Sequence, residues 1–209
     1  MRELIMKMSM SLDGFVSGEN GEIDWIFTTG DDKSRQWSLD TVTNASLHIM
    51  GRKTFADMAA WWPASKEAFA APMNAIPKAV FTRRKDFSPA RPGETSQAIK
   101  DATTHVGAPA GDAGRESWHN AYVASGDMAE EITRLKSGDG RPILAHGGSG
   151  FMRSLLATGL VDELRLPIHP VALGKGLPIF TGRHDFRLVE ATAFPSGVVA
   201  HVYRRREVV

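Results

Sequence analysis

The sequence predicts an α/β fold: a mainly parallel, twisted sheet flanked by helices, closed by an antiparallel C-terminal hairpin. Three observations carry this prediction. Short apolar runs of strand length alternate with segments whose apolar residues recur at helical spacing, the pattern of successive strand–helix units. Two of these runs pass through glycine into a helix, at Gly51 and at Gly147-Gly148-Ser149-Gly150. After Val161 the pattern changes to alternating apolar and polar residues around Pro195-Ser196-Gly197, which reads as a hairpin.

Leu4 to Met10 reads as the first strand, followed by a loop in which Asn20-Gly21 supplies a turn. Asp31 to about Thr43 reads as a helix. Ser46 to Met50 is a short apolar strand that breaks at Gly51 and continues as a helix until Pro63 stops it. Lys78 to Thr82 is a third buried strand, followed by the basic loop "RRKDFSPARPG". Gly107 to Gly114, "GAPAGDAG", has no periodicity and reads as a mobile insertion. Ala121 to Ala124 is a further strand. Met128 to Lys136 is a helix with a capping box from Asp127 and Glu130, and Met128, Ile132 and Leu135 share one face. Ile143 begins the strand that runs into Gly147, and the helix beyond reaches Leu156.

At 209 residues, 42% hydrophobic and 23% charged, the chain suits one α/β domain, residues 1–209, with a substantial core. Twenty-five Lys and Arg balance 24 Asp and Glu, and no basic block occurs before Arg204 to Arg206, so nucleic acid is not the expected partner. Absence of cysteine excludes disulfides, thiolate metal sites and a cysteine nucleophile. The N-terminus starts like a strand rather than a signal peptide, and no run reaches membrane-spanning length. The expectation is a soluble cytoplasmic protein, for which the sequon at Asn44 has no consequence.

Ligands of such sheets sit at the carboxyl ends of the strands. Three junctions place suitable groups there: Gly51-Arg52-Lys53-Thr54, Thr82-Arg83-Arg84, and Gly147-Gly148-Ser149-Gly150 with Phe151. Backbone N–H groups at a helix start, with Arg, Lys and Thr, are the means of holding a diphosphate. A pair of arginines after a strand suits one further phosphate, such as that on a ribose of NADPH. The plain alternatives stay open at this stage: the glycines as a tight turn, and Arg83 and Arg84 as a solvated loop. No Walker lysine loop, nucleophile elbow or Gly-x-Gly-x-x-Gly strand end is present, and the seven histidines form no metal-ligand spacing, so no metal is expected. His48 lies in an apolar strand and reads as a core histidine.

The segments "SMSLDGFVSGENGEIDW", "HIMGRKTF", "AVFTRR" and "ILAHGGSGFMRSLL", in that order, resemble the dihydrofolate reductase-like superfamily, nearest to its branch related to the reductase domain of bacterial riboflavin biosynthesis. The resemblance covers nearly the whole chain; only about Phe87 to Asn120 is unplaced. It implies NADPH bound across the carboxyl edge of the sheet and hydride transfer to a small heterocyclic or sugar-linked substrate, as in 5-amino-6-(5-phosphoribosylamino)uracil reductase. It further implies that Gly51 to Thr54 hold phosphate, that Thr82 and Arg83 meet the ribose phosphate, and that Gly147 to Gly150 take the diphosphate. Ser11, Asp13, Gly14 and Gly18 would line the nicotinamide, or form a plain turn.

Asp13 and Asp31 are the candidate catalytic carboxylates. No acidic residue matches the pterin-binding motif of true dihydrofolate reductases; Asp24, Asp31 and Asp32 are what the region offers, and Asp31 with Asp32 equally suits a helix cap. Trp61 and Trp62 would wall a substrate pocket or pack in the core. A non-catalytic nucleotide-binding module of the same fold, or a true dihydrofolate reductase, is the alternative function. A homodimer is expected through the C-terminal half, on apolar residues such as Leu164, Leu166, Ile168, Val198 and Val202, and relatives of the resembled branch commonly pair there.

Overall fold

β-branched and long apolar residues form the strands. In order these are β1 (Leu4–Lys7), β2 (Met10–Ser11), β3 (Phe15–Ser17), β4 (Leu47–Gly51), β5 (Lys78–Phe81), β6 (Tyr122–Ala124), β7 (Ile143–Ala145), β8 (Glu163–His169), β9 (Leu177–Pro178), β10 (Phe186–Ala193) and β11 (Val199–Arg205). The helices are α1 (Asp24–Thr29), α2 (Asp32–Thr43), α3 (Arg52–Trp61), α4 (Ala70–Ala75), α5 (Gln97–Val106), α6 (Glu116–His119), α7 (Met128–Lys136) and α8 (Ser149–Ala157). A 3₁₀ turn at Trp62–Ala64 follows α3, where Pro63 cannot continue an α-helix. The computed structural model describes residues 1–84, 86–89, 96–107 and 114–206. Most of the expected "GAPAGDAG" insertion and part of the basic loop lie outside these residues.

The main sheet has the order β10-β11-β8-β1-β7-β4-β5-β6, with β2 also paired to β8. Pairs from β8 through β6 are parallel, and only β8-β11 and β10-β11 are antiparallel. β3 and β9 make a separate two-stranded antiparallel sheet. The mainly parallel sheet with an antiparallel end is therefore as the sequence predicts. The expected first strand is split, because β1 pairs with both β7 and β8 whereas β2 pairs with β8 alone.

Alternation along the buried strands sends side chains to two cores. Leu4, Met6, Ile49, Ala145 and Leu164 meet Met152, Leu155 and Leu156 of α8 and Ile132 and Leu135 of α7. Ile5, Met50, Val80 and Leu144 meet Val42 of α2, Phe55 of α3, Met73 and Trp118. Each large apolar side chain buried this way contributes about 1.5 to 3 kcal/mol. Leu164, Leu166, Val198 and Val202 belong to this buried set at 1%, 3%, 0% and 7% exposure. The chain's own layers cover most of their surface, and Leu164 and Leu166 line the floor of a groove with Ile168.

Polar side chains tie the layers together. Asp31 caps α2 by accepting from the Ser34 N–H at 2.8 Å, and the Ser34 hydroxyl returns a bond to the Asp31 N–H. Asp31 also accepts from the Ser196 N–H of the hairpin turn at 2.9 Å. Asp127 caps α7 through the Ala129 and Glu130 N–H groups. Lys78, 2% exposed at the start of β5, donates to the Ile76 carbonyl and the Ser117 hydroxyl, with its ammonium 4.4 Å from the centre of the Trp118 ring. No carboxylate among the described residues pairs with it, and burial pushes its amine down to about 7.

Candidate active site

The strand order β7-β4-β5 sets three junctions side by side at the carboxyl edge of the sheet. β4 ends at Gly51, which begins α3; β7 runs through His146 and Gly147 to Gly148, which begins α8; and β5 leads into Thr82. The Gly51 N–H donates to the Gly147 carbonyl at 3.1 Å, and the His146 N–H to the Ile49 carbonyl at 3.0 Å. The Gly147–Gly148 peptide is cis, and Gly147 has a φ of +97°, which glycine alone adopts readily. A Cβ on Gly51 would lie 2.8 Å from the Phe151 Cβ, and one on Gly148 would lie 3.2 Å from the Thr54 Oγ1. The two helix starts therefore meet closely because both carry glycine.

Neither Gly51 nor Gly148 supplies a side-chain cap, so the first N–H groups of α3 and α8 have no acceptor from their cap residues and lie at the positive ends of two helix dipoles. Thr82 is fixed by its N–H bond to the Ala124 carbonyl at 3.0 Å, and its hydroxyl accepts from the Arg84 N–H at 3.1 Å. Arg84 pairs with Asp86 at 3.1 Å, whereas Arg83 is exposed and has no ion pair among the described residues. Gly51 to Thr54, Thr82 to Arg84 and Gly147 to Phe151 all line one cleft of about 1770 Å³.

The floor of this cleft includes Lys7, Met8, Ser9 and His146. Burial pushes the Lys7 amine down to about 8. The His146 ring stands edge-on to His48 with centroids 4.5 Å apart, and His48 Nε2 donates to the Val42 carbonyl at 3.2 Å. Burial is the main reason both rings are neutral: His48 falls to about 4, and His146 lies well below the usual imidazole range, lowered further by His48, Lys7 and Lys78. The farther walls carry Ile23, Ile26 and Phe27 around α1, Asp57, Met58 and Trp61 on α3, then Trp62 and Glu67, and Ile99 and Ala102 on α5.

The model of the RibD C-terminal domain family matches residues 2–200. The chain belongs to this family.

Among curated relatives, the uncharacterized protein YyaP of Bacillus subtilis is 29% identical over 206 residues, covering 97% of this chain and 94% of that one. A putative riboflavin biosynthesis protein of Shewanella superposes with a TM-score of 0.66 at 18% identity, covering 98% and 99% of the two chains. A diaminohydroxyphosphoribosylaminopyrimidine deaminase/5-amino-6-(5-phosphoribosylamino)uracil reductase of Thermotoga maritima superposes with a TM-score of 0.64 at 17% identity; 98% of this chain spans 57% of that one. The chain thus has the expected dihydrofolate reductase-like fold.

Trp61 and Trp62 line the cleft, whereas Ser11, Asp13, Gly14, Gly18 and Asp31 do not. The Asp13 carboxylate accepts from the Ser11 hydroxyl at 2.6 Å and from the Leu173 and Gly174 N–H groups at 3.1 and 2.7 Å, which hold it below the usual carboxylate range. Ser11 is buried, and Gly14 turns the chain with a φ of +87°. Gly18 donates its N–H to the Glu22 carbonyl, and a Cβ there would strike the Glu22 carboxylate. Asp31 is committed to the cap and hairpin bonds described above. Neighbours of these residues, Lys7 to Ser9 and Val16, Ser17 and Glu19, face the cleft instead. Lysine inside the first apolar run, and histidine just before the glycines, were the available signals for Lys7 and His146.

Proposed function

We propose that this chain is a cytoplasmic NADPH-dependent reductase, working as a single domain over residues 1–209, that delivers a hydride to a small heterocyclic or sugar-linked substrate. The observation that carries the reading is the meeting of two uncapped helix starts, at Gly51 and Gly148, in one cleft with Thr82 and Arg83. The residues fit the cofactor. The Gly148 seat lacks room for a side chain without displacing Thr54, and the cleft edge carries Arg52, Lys53, Arg83 and Arg84.

NADPH, when bound, supplies the hydride; the protein groups bind, orient and manage protons. N–H groups of Gly147 to Gly150, with Thr54, hold the diphosphate. Arg83 forms the charge-assisted contact to the ribose phosphate, with Arg84 shared between that phosphate and Asp86. Lys7, at the carboxyl end of β1, is the cleft-floor amine that exchanges a proton near neutral pH, and it holds and donates the proton that the reduced substrate needs. His146 and His48, being neutral, leave Lys7 without a cationic competitor at that floor.

Asp24, Asp31 and Asp32 do not line the cleft, which counts against dihydrofolate as the substrate. The reading includes a homodimer through the C-terminal half, supported by a groove of about 490 Å³ lined by Leu164, Leu166, Ile168, Phe186 and Tyr203 and by the exposed Leu188 and Val189 of β10. Light scattering that returns only 22.8 kDa across micromolar concentrations would refute the dimer.

The test of function is titration with NADPH and NADH, then NADPH oxidation followed by absorbance over a panel of pteridines, aminopyrimidine ribosides and small carbonyls. Tighter NADPH binding with turnover of one panel member is expected. Equal affinity for the two cofactors refutes the phosphate assignment. Binding without any turnover favours a nucleotide-binding module instead.

A further inference from the structure

The chain has no cysteine, so its sulfur chemistry belongs to nine methionines. Met6, Met10, Met50, Met73 and Met152 are buried in the two cores at 5% exposure or less, and Met1 stands free at the N-terminus. The remaining three, Met8, Met58 and Met128, are half-buried, and all three line the cleft. Apart from the first residue of the chain, every thioether within reach of solvent is therefore gathered along one cavity. Met128 begins α7 at the β6 end of the cleft, Met58 lies on the α3 wall, and Met8 lies on the floor between Lys7 and Ser9.

Met8 is the one set against the glycine turn. A Cβ on Gly147 would meet the Met8 Sδ at 3.1 Å and its Cε at 3.4 Å, with the Thr54 Oγ1 at 4.0 Å. The thioether thus fills the space beside the link between β7 and α8 that a side chain at 147 would take. As an apolar group it makes no demand on the N–H groups of that turn. A sulfoxide does, because its oxygen is a strong acceptor on a side chain that has become polar and chiral. Satisfying that oxygen draws on the N–H groups at the start of α8; leaving it unsatisfied disfavours the packed position and drives the side chain into the cleft. Both outcomes work against a ligand seated at Gly147 to Gly150.

We propose that Met8 is an oxidation site through which peroxide closes the cleft to its dinucleotide, with Met58 and Met128 as secondary sites along the same walls. The modification rests on the exposure pattern, and its effect on binding rests on the reductase reading of the cleft. In the step, the thioether sulfur attacks one oxygen of hydrogen peroxide and the O–O bond breaks. Sulfur gives up two electrons and keeps that oxygen as the sulfoxide, and the departing hydroxide takes the remaining proton to leave as water. The change is reversible: methionine sulfoxide reductases restore the thioether, oxidising two thiols to a disulfide and releasing the oxygen as water.

The experiment treats the full chain with hydrogen peroxide, removes the oxidant, locates sulfoxides by peptide mass spectrometry and titrates NADP⁺. Met1 is expected to oxidise first, Met8, Met58 and Met128 next, and the buried methionines last; saturating NADP⁺ is expected to slow oxidation of Met8 but not of Met1. Protein carrying the Met8 sulfoxide is expected to bind NADP⁺ roughly tenfold or more weakly, with an unchanged far-UV circular dichroism spectrum, and to recover on treatment with sulfoxide reductases and dithiothreitol. Met8→Leu conserves volume and cannot be oxidised; its affinity, compared before and after peroxide, is expected to change less than about twofold, whereas Met58→Leu remains sensitive. Oxidation of Met8 no faster than that of the buried methionines, unmoved NADP⁺ affinity in its sulfoxide, unfolding by that sulfoxide, or a loss of affinity in Met8→Leu equal to that of the wild type overturns the proposal. Failure of the untreated protein to bind NADP⁺ is a different result, and overturns the reductase reading together with the effect on binding assigned here.

Discussion

Replacing Lys78 with methionine is expected to remove a large part of the pH dependence of stability. The Lys78 amine falls from 10.5 to about 7 on folding because burial disfavours its charge. Below pH 7 both folded and unfolded chains carry the proton, so no dependence arises. Between pH 7 and 10.5 the unfolded chain binds more proton than the folded one, so stability rises with pH across that window. A full proton difference is worth about 1.4 kcal/mol per pH unit, and the difference is only half developed at pH 7. The expected gain from pH 7 to pH 9 is therefore about 2 kcal/mol. With a urea slope of about 2 kcal/mol/M, the midpoint moves up by about 1 M. Lys7, lowered to about 8, contributes in the same direction to both proteins. The readout is consequently the difference between the wild-type and Lys78→Met slopes in urea titrations at pH 7 and 9. Parallel pH profiles for the two proteins would refute the reasoning.

Gly148→Val is expected to weaken NADPH binding at least tenfold with the fold retained, because the new side chain enters the phosphate seat beside Thr54; fluorescence titration and circular dichroism measure the two effects. Arg83→Ala is expected to erode the preference for NADPH over NADH more than Arg84→Ala, since Arg84 is already paired with Asp86; the ratio of dissociation constants decides this. Asp31→Ala is expected to lower the thermal midpoint while leaving NADPH affinity unmoved, because its bonds go to Ser34 and Ser196 rather than to the cleft.

Periodicity made the sheet and the main helices legible. α3, α7 and α8 are long enough for a helical apolar face, and Pro63, Asp127 and the glycines mark their ends. The helices α1, α4 and α6 were missed because four to six residues carry too little pattern, and α5 falls in the stretch the sequence left unplaced. The strand-end junctions at Gly51, Thr82 and Gly147 were readable as such because each is local: strand, small residue, then turn or helix. The substrate side was not, since Lys7, Asp57, Glu67 and Ile99 come together only through packing. Asp13 misled for a related reason. Its bonding partners, Leu173 and Gly174, lie 160 and 161 residues away, so a short acidic turn motif gave no hint that its carboxylate was already engaged.

The position of β1 also bears on how the chain is made. β1 is the earliest strand of these residues, yet its neighbours are β7 and β8, and Leu4 pairs with Ile143. On a ribosome adding about 5 to 20 residues per second, Leu4, Ile5 and Met6 emerge on the order of ten seconds before those partners exist. During that interval an apolar strand with two open edges is presented to the surroundings, available to other nascent chains and to chaperones alike.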